Sequence, residues 1–249
     1  MLEDGSMRRW KEGSSMAVRL VLVGAEGRMG SRIASLAETA GDVEVVARVC
    51  RGIKANSLSR GSCDVIVDFS SEEGARQAGE LAKETGAALL VGTTGLGPAV
   101  LENLRALSAS RAVLVAPNTS LGVAVTRRLA RLAAELLGPS GWKVDIVESH
   151  HDRKKDAPSG TALAIAESLR AGGMEVAAER IHAIRAGETV GEHEIRLAGG
   201  AERIHIMHQA VSRDLFAAGA LRAARWLVGR QPGWFAMDDV LSDPQPQRG

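Results

Sequence analysis

Apolar residues in this chain fall into short runs separated by one-sided stretches, regularly so from Val18 onward. Val18-Arg-Leu-Val-Leu-Val23 is a brief apolar run ending at a glycine, which predicts a buried strand. Arg28 to Ala40 sets Met29, Ile33, Leu36 and Ala37 on one face and predicts a helix. Further strands are expected at Val43–Val49, Val65–Phe69, Ala88–Val91 and Val113–Ala116. Helices are expected between them at Glu72–Thr85 and at Pro98–Leu107, the latter opened by a proline whose fixed φ suits a first turn. Such alternation implies a parallel sheet with helices on both faces.

The pattern changes near Asn118. A long helix is expected at Gly122–Leu137, a strand at Asp145–Ser149 and a helix at Thr161–Arg170. Ile181–Arg185, Glu192–Leu197 and Arg203–His208 then read as strands with no helices between them, an open and largely antiparallel sheet. Asp214–Val228 is again amphipathic, and this last helix is expected to return to the first sheet. Residues 1–16 are polar and lack the apolar middle of a signal peptide. They are expected to form a disordered lead, with Met7 or Met16 as alternative starts.

Composition narrows the function. The 249 residues are 45% hydrophobic and 24% charged, ordinary for a globular protein. A net charge of +1 provides no global field for nucleic acid or an anionic membrane, so neither is expected as a partner. Aromatics make up 3% and tyrosine is absent, which argues against base stacking and leaves Val, Leu, Ile and Ala to build the core. Cys50 and Cys63 are the only thiols, too few for a disulfide framework, and a cytoplasmic location is expected. No apolar run is long enough to span a bilayer.

Two segments carry chemistry. Gly24-Ala-Glu-Gly-Arg-Met-Gly30 joins the first strand to the first helix, where glycines let phosphates approach the backbone and the helix N-terminus favours anions. Its spacing is Gly-x-x-Gly-x-x-Gly, with Glu26 between the first two glycines. An acid at the end of the second strand would grip the ribose 2′-hydroxyl of NAD, and an arginine would accept the 2′-phosphate of NADP. The chain has Cys50-Arg51 there, which favours NADPH; a solvated loop charge is the other reading of Arg51. Gly92-Thr-Thr-Gly95 and Ala116-Pro-Asn-Thr-Ser120 follow strands and either face the same crevice or are plain turns.

The second segment is Glu148-Ser-His-His-Asp-Arg-Lys-Lys-Asp-Ala-Pro-Ser-Gly-Thr161. Histidine exchanges protons near neutral pH, and lysine presents a fixed positive charge. Ser159-Gly160-Thr161 opens a helix whose free N–H groups can seat a carboxylate or phosphate. Adjacent strand residues face opposite ways, so one of His150 and His151 can be merely structural. No third ligand stands nearby to make the pair a metal site, and no metal is expected. Spacing does not choose between Lys154 and Lys155, and His193, His205 and His208 read as core or interface residues.

Taken together, these segments resemble the bacterial dihydrodipicolinate reductase (4-hydroxy-tetrahydrodipicolinate reductase) family. The matching stretches are Gly24–Gly30, Val67-Asp-Phe-Ser70, Gly92-Thr-Thr-Gly95, Ala116-Pro-Asn118, His150-His151 with Lys154, and Asp156-Ala-Pro-Ser-Gly-Thr161. Val190-Gly-Glu-His193, Ser212-Arg-Asp-Leu-Phe216 and Gly219-Ala220 extend the match. The resemblance implies an α/β fold with a Rossmann-like dinucleotide-binding domain at 17–118, completed by 213–243. An α+β domain of open mixed sheet at 119–212 would be inserted, binding substrate and forming a homotetramer. It implies reduction of a small dicarboxylate ring by NADPH or NADH in lysine and diaminopimelate biosynthesis. His150 would be the general acid, and Lys154 would stabilise or supply the proton. His151, Gly160 and Thr161 would hold substrate carboxylates. Gly24, Ala25, Glu26, Gly27, Arg28, Met29, Arg51, Gly92, Thr93, Thr94, Ala116, Pro117, Asn118 and Thr119 would contact the cofactor.

The chain departs from the family pattern at Cys50, where an acid is common, at Thr119, where phenylalanine is usual, and at Asp152, where a basic or neutral residue is usual. The region between Arg51 and Val65 is short. Two other functions fit the same elements less well. A semialdehyde-type dehydrogenase would need a cysteine in a catalytic loop, and a nucleotide sensor would have no use for His150 and Lys154 beside an anion seat.

Overall fold

The computed structural model describes residues 17–50 and 58–242; Arg51 and the 1–16 lead lie outside them. The chain opens with β1 (Val18–Val23), α1 (Arg28–Ala40), β2 (Val43–Val49), β3 (Val65–Asp68), α2 (Glu72–Thr85), β4 (Ala88–Val91), α3 (Pro98–Leu107) and β5 (Ala112–Val115). There follow α4 (Leu121–Leu137), β6 (Lys143–His150), α5 (Gly160–Ala171), β7 (Ile181–Arg185), β8 (Gly191–Ala198) and β9 (Arg203–Ala210). The last elements are α6 (Asp214–Leu227), β10 (Gly233–Phe235) and α7 (Met237–Ser242).

Six strands form a parallel sheet in the order β10-β5-β4-β3-β1-β2. The period-2 alternation of β1 explains its two cores. Leu20 and Leu22 face one side with Ile33 and Ala37 of α1 and Ala217, Ala220 and Ala224 of α6. Val21 and Val23 face the other with Ala78 and Leu81 of α2 and Leu104 of α3. Helix α6 therefore returns to the first sheet, and Arg225 holds it to Asp42 beyond α1 at 2.6 and 2.9 Å. The small residues of α6 permit this close approach: a Cβ on Gly219 would run into the Thr119 carbonyl.

The strand order reverses between β1 and β3, and in such sheets ligands bind outside the carboxyl ends of the strands at that point. The turns after β1, β3, β4 and β5 all open there.

The second sheet runs β7-β6-β8-β9. β6 pairs parallel with β7 and antiparallel with β8, and β8 pairs antiparallel with β9. The sheet is thus mixed. One face packs Val144, Ile146, Ile195 and Leu197 against Ala130 and Ala134 of α4 and Ile165 and Leu169 of α5. The pattern of apolar positions did not reveal β10 or α7. Gly233-Trp-Phe235 is too short to show a period, and it forms a strand because β5 offers an open edge. Among the described residues no helix is long and apolar enough to cross a membrane.

Candidate active site

At the reversal point, Gly24 takes a φ of 80°, open only to glycine at low cost, and turns the chain out of β1. Gly27 caps α1 with no side-chain hydrogen bond, so the first N–H groups of the helix remain available. A Cβ on Gly30 would lie 2.7 Å from the Ala25 Cα, so the helix can start this close to the loop only with glycine there. The residues thus fit a dinucleotide pyrophosphate on the α1 N-terminus. Glu26 and Arg28 are exposed, Ala25 is buried, and Met29 packs on the core. Burial pushes the Cys50 thiol up, and contact with Glu26 pushes the same way, which disfavours the thiolate.

Across the crevice, Thr93 is buried while Thr94 is exposed. Ala116 and Thr119 are buried, and Pro117 is exposed. The Thr119 hydroxyl donates to the Phe216 carbonyl at 2.7 Å, so this residue ties the β5 loop to α6 and offers a cofactor only backbone. Asn118 Nδ2 donates to Thr161 Oγ1 at 3.0 Å, while its Oδ1 accepts from the Ser120 N–H at 2.9 Å. That pair joins the expected cofactor loop to the expected substrate helix.

The substrate side is built on β6. Alternate residues Val144, Ile146, Glu148 and His150 point inward, so the strand period carries Glu148 and His150 to the same face. Glu148 is 0% exposed. Its carboxylate takes a short hydrogen bond from His150 Nδ1, two from Arg185 at 3.0 and 2.8 Å, and one from the Ser159 N–H at 3.1 Å. Burial alone would push the Glu148 carboxyl up, but the bonds from Arg185 and His150 outweigh it and hold the group below its ordinary range. It therefore stays charged and fixes the ring of His150. Burial pushes His150 below its ordinary value, with Lys154 and Arg185 adding to the shift and Glu148 opposing it. With Nδ1 engaged, Nε2 is the atom left for substrate. Gly191 leaves room beside it, since a Cβ there would stand 3.1 Å from Nε2.

The loop after β6 brings Lys154 back toward this ring. Its Nζ binds both Asp156 oxygens at 2.9 and 2.8 Å. The bond from Lys154 holds the Asp156 carboxyl low, and the Gly160 backbone contributes to the same effect. Asp156 thus rests on the lysine expected to stabilise or supply the proton and on the helix end expected to hold a substrate carboxylate. Ser159 caps α5, its Oγ accepting from the Ala162 N–H at 3.2 Å, and a Cβ on Gly160 would meet open space. His151 diverges from His150: its Nε2 faces Arg213 at 3.2 Å, and its buried Nδ1 has no partner among the described residues.

Several residues escaped the reading of the sequence. Glu148, Arg185 and Arg213 are polar residues whose roles depend on contacts 2 to 62 positions away. His193 is another. It pairs with Glu148 across the β6–β8 ladder, meets the His150 ring edge-on at 5.1 Å, and shares a 3.2 Å hydrogen bond with Ser159 Oγ. Burial lowers it to about 4, so it is neutral near pH 7. Its place in Val190-Gly-Glu-His193 was the available signal.

Comparison with known proteins agrees across the chain. Residues 18–119 match the family model described as "Dihydrodipicolinate reductase, N-terminus", and residues 122–241 match "Dihydrodipicolinate reductase, C-terminus". A 4-hydroxy-tetrahydrodipicolinate reductase of Stenotrophomonas maltophilia is 42% identical, over 90% of this chain and 98% of the relative. One from Alkalilimnicola ehrlichii is 39% identical, over 91% of this chain and 99% of the relative. Among solved structures, the dipicolinate-bound dihydrodipicolinate reductase of a Paenisporosarcina species shares the fold, with a TM-score of 0.74 at 20% identity. That likeness covers 89% of this chain and 98% of the other.

Proposed function

Since the chain belongs to the dihydrodipicolinate reductase family, we propose that it performs the family's reduction with His150 as proton donor and Lys154 as its cationic partner. The reaction is reduction by NAD(P)H of the dihydrodipicolinate-type ring, formed from 4-hydroxy-tetrahydrodipicolinate, to tetrahydrodipicolinate in lysine and diaminopimelate biosynthesis. Bound nicotinamide supplies the hydride. Gly24 to Met29 would hold the pyrophosphate, with Gly92 to Thr94 and Ala116 to Thr119 on the nicotinamide side.

The observation that carries the assignment is the buried Glu148–His150 pair. Glu148 leaves His150 Nε2 as the free ring atom, and a ring gaining electrons takes its proton there. The Gly160 and Thr161 N–H groups and the Thr161 hydroxyl would seat one substrate carboxylate, displacing Asp156 from Lys154. His151, beside Arg213, would face the other. The direct test follows loss of reduced nicotinamide absorbance with freshly generated cyclic substrate. Turnover is expected; cofactor binding without turnover would sink the reading. Lys154→Ala is expected to lower kcat about 10²-fold, as for loss of one electrostatic stabiliser, while cofactor Kd stays unchanged. An unaltered kcat would remove Lys154 from the chemistry.

We take 17–118 with 213–243 as the nucleotide-binding unit and 119–212 as the substrate unit, in a cytoplasmic homotetramer. The face of the second sheet away from α4 and α5 supports the oligomer. It carries Val147, Ile184 and Met207, the last two 47% and 59% exposed, among Glu192, Glu194 and Arg196. Light scattering that gave a monomer mass would contradict it.

A further inference from the structure

Asp68 ends β3 at the strand-order reversal, is 0% exposed, and has no part in the chemistry above. Its carboxylate takes a short hydrogen bond from Ser70 Oγ and another from Thr93 Oγ1 at 2.6 Å. Thr93 Oγ1 in turn accepts from the Ser70 N–H at 2.8 Å. The three residues close a ring joining the turn after β3 to the loop after β4. The backbone reinforces it: the Gly92 N–H donates to the Asp68 carbonyl at 2.8 Å, and the Phe69 N–H to the Val23 carbonyl at 3.0 Å.

The space around this turn is filled on both sides. A Cβ on Gly24 would lie 2.8 Å from Ser70 Cβ, and one on Gly92 would enter the Phe69 ring. The turn is therefore wedged between the glycine loop after β1 and the Gly92–Thr94 loop. Any slack in it is transmitted to both.

A carboxylate is a costly choice for such a place. Burial pushes the Asp68 carboxyl up to about 6, against the pull of the two hydroxyls. An asparagine would fill the same volume without that cost. What the anion adds is acceptance from two hydroxyls at once, where an amide oxygen and its NH₂ offer one acceptor and one donor. Acceptance by Asp68 orients the Thr93 hydroxyl hydrogen and leaves a lone pair for the Ser70 N–H.

We propose that Asp68 is a positioning residue for the cofactor, holding the Gly92–Thr94 loop through the Thr93 hydroxyl and the glycine loop through Ser70. The inference rests on the reading that Gly92–Thr94 contacts the nicotinamide cofactor.

Asp68→Asn separates this from a structural role. The variant is expected to unfold at the same temperature as the parent or higher. Its KM for NADPH and NADH is expected to rise about tenfold or more, the equivalent of one hydrogen bond to a charged group. Its kcat at saturating cofactor and its KM for the dicarboxylate should stay within about twofold, since neither depends on that bond. An unchanged cofactor KM, or a lower unfolding temperature with unchanged KM, overturns the proposal. Thr93→Val, measured alongside, distinguishes the failures. If Thr93→Val weakens cofactor and Asp68→Asn does not, the loop contacts cofactor without help from Asp68. If neither weakens it, the loop assignment falls as well.

Discussion

Changing His150 to glutamine is expected to lower kcat by about 10²- to 10⁴-fold, the range for loss of a positioned proton donor. Glutamine keeps a polar atom near the Nε2 position but cannot protonate the ring. The side chain sits in a buried pocket bounded by Glu148 and His193, so the fold need not adjust. Cofactor Kd, measured by fluorescence titration, should not change. The parent should show a matching pH signature. A general acid must be protonated, so activity is lost as pH rises through its midpoint. Burial sets that midpoint below the ordinary histidine value in the free enzyme, which kcat/KM reports. Two substrate carboxylates favour the imidazolium, so kcat should persist to higher pH than kcat/KM. Coincident midpoints would count against His150, as would a glutamine variant of full activity.

The Glu148→Gln variant should suffer in both stability and rate. Glu148 is wholly buried and is the carboxylate partner of Arg185, a partly exposed guanidinium that keeps the Ile184 and Asp156 carbonyls, so neutralising Glu148 is expected to cost about 1–3 kcal/mol, the range for weakened hydrogen bonds to a charged group. Thermal unfolding should show the loss directly. Among molecules that remain folded, kcat should still fall by about 10²-fold or more, because the amide can hold His150 in the wrong tautomer. The midpoint for kcat/KM should also move to lower pH, since the Glu148 charge opposes the burial shift. A normal kcat per folded molecule would reduce Glu148 to a structural acid.

Regular hydrophobic periods made most of the architecture legible. The alternation from Val18 to Val115 specified the parallel sheet, and the helix-free run after Ile181 specified the change to a second one. The mixed hand of that second sheet was less visible, because β7 pairs with β6 across an intervening helix rather than with its successor β8. Strand β10 exists through the edge of β5 rather than through its own three residues. Among site residues, the glycine loop and the helix opening at Ser159 were readable because their chemistry is local. Glu148 and Arg185 were not, since one lies mid-strand and the other is brought to it from 37 positions away by sheet register. His193 read as a core residue; burial is indeed its state, yet the ladder sets it against the His150 ring.

The most direct test of the central claim is a crystal structure of the protein with dipicolinate and oxidised nicotinamide cofactor bound together. His150 Nε2 and Lys154 Nζ are expected on the same bound dicarboxylate, with the Gly160 and Thr161 N–H groups within about 3.2 Å of one of its carboxylates. The nicotinamide ring should stack over the opposite face. A ligand seated elsewhere, with Glu148 still holding His150 and Asp156 still holding Lys154, would contradict the account.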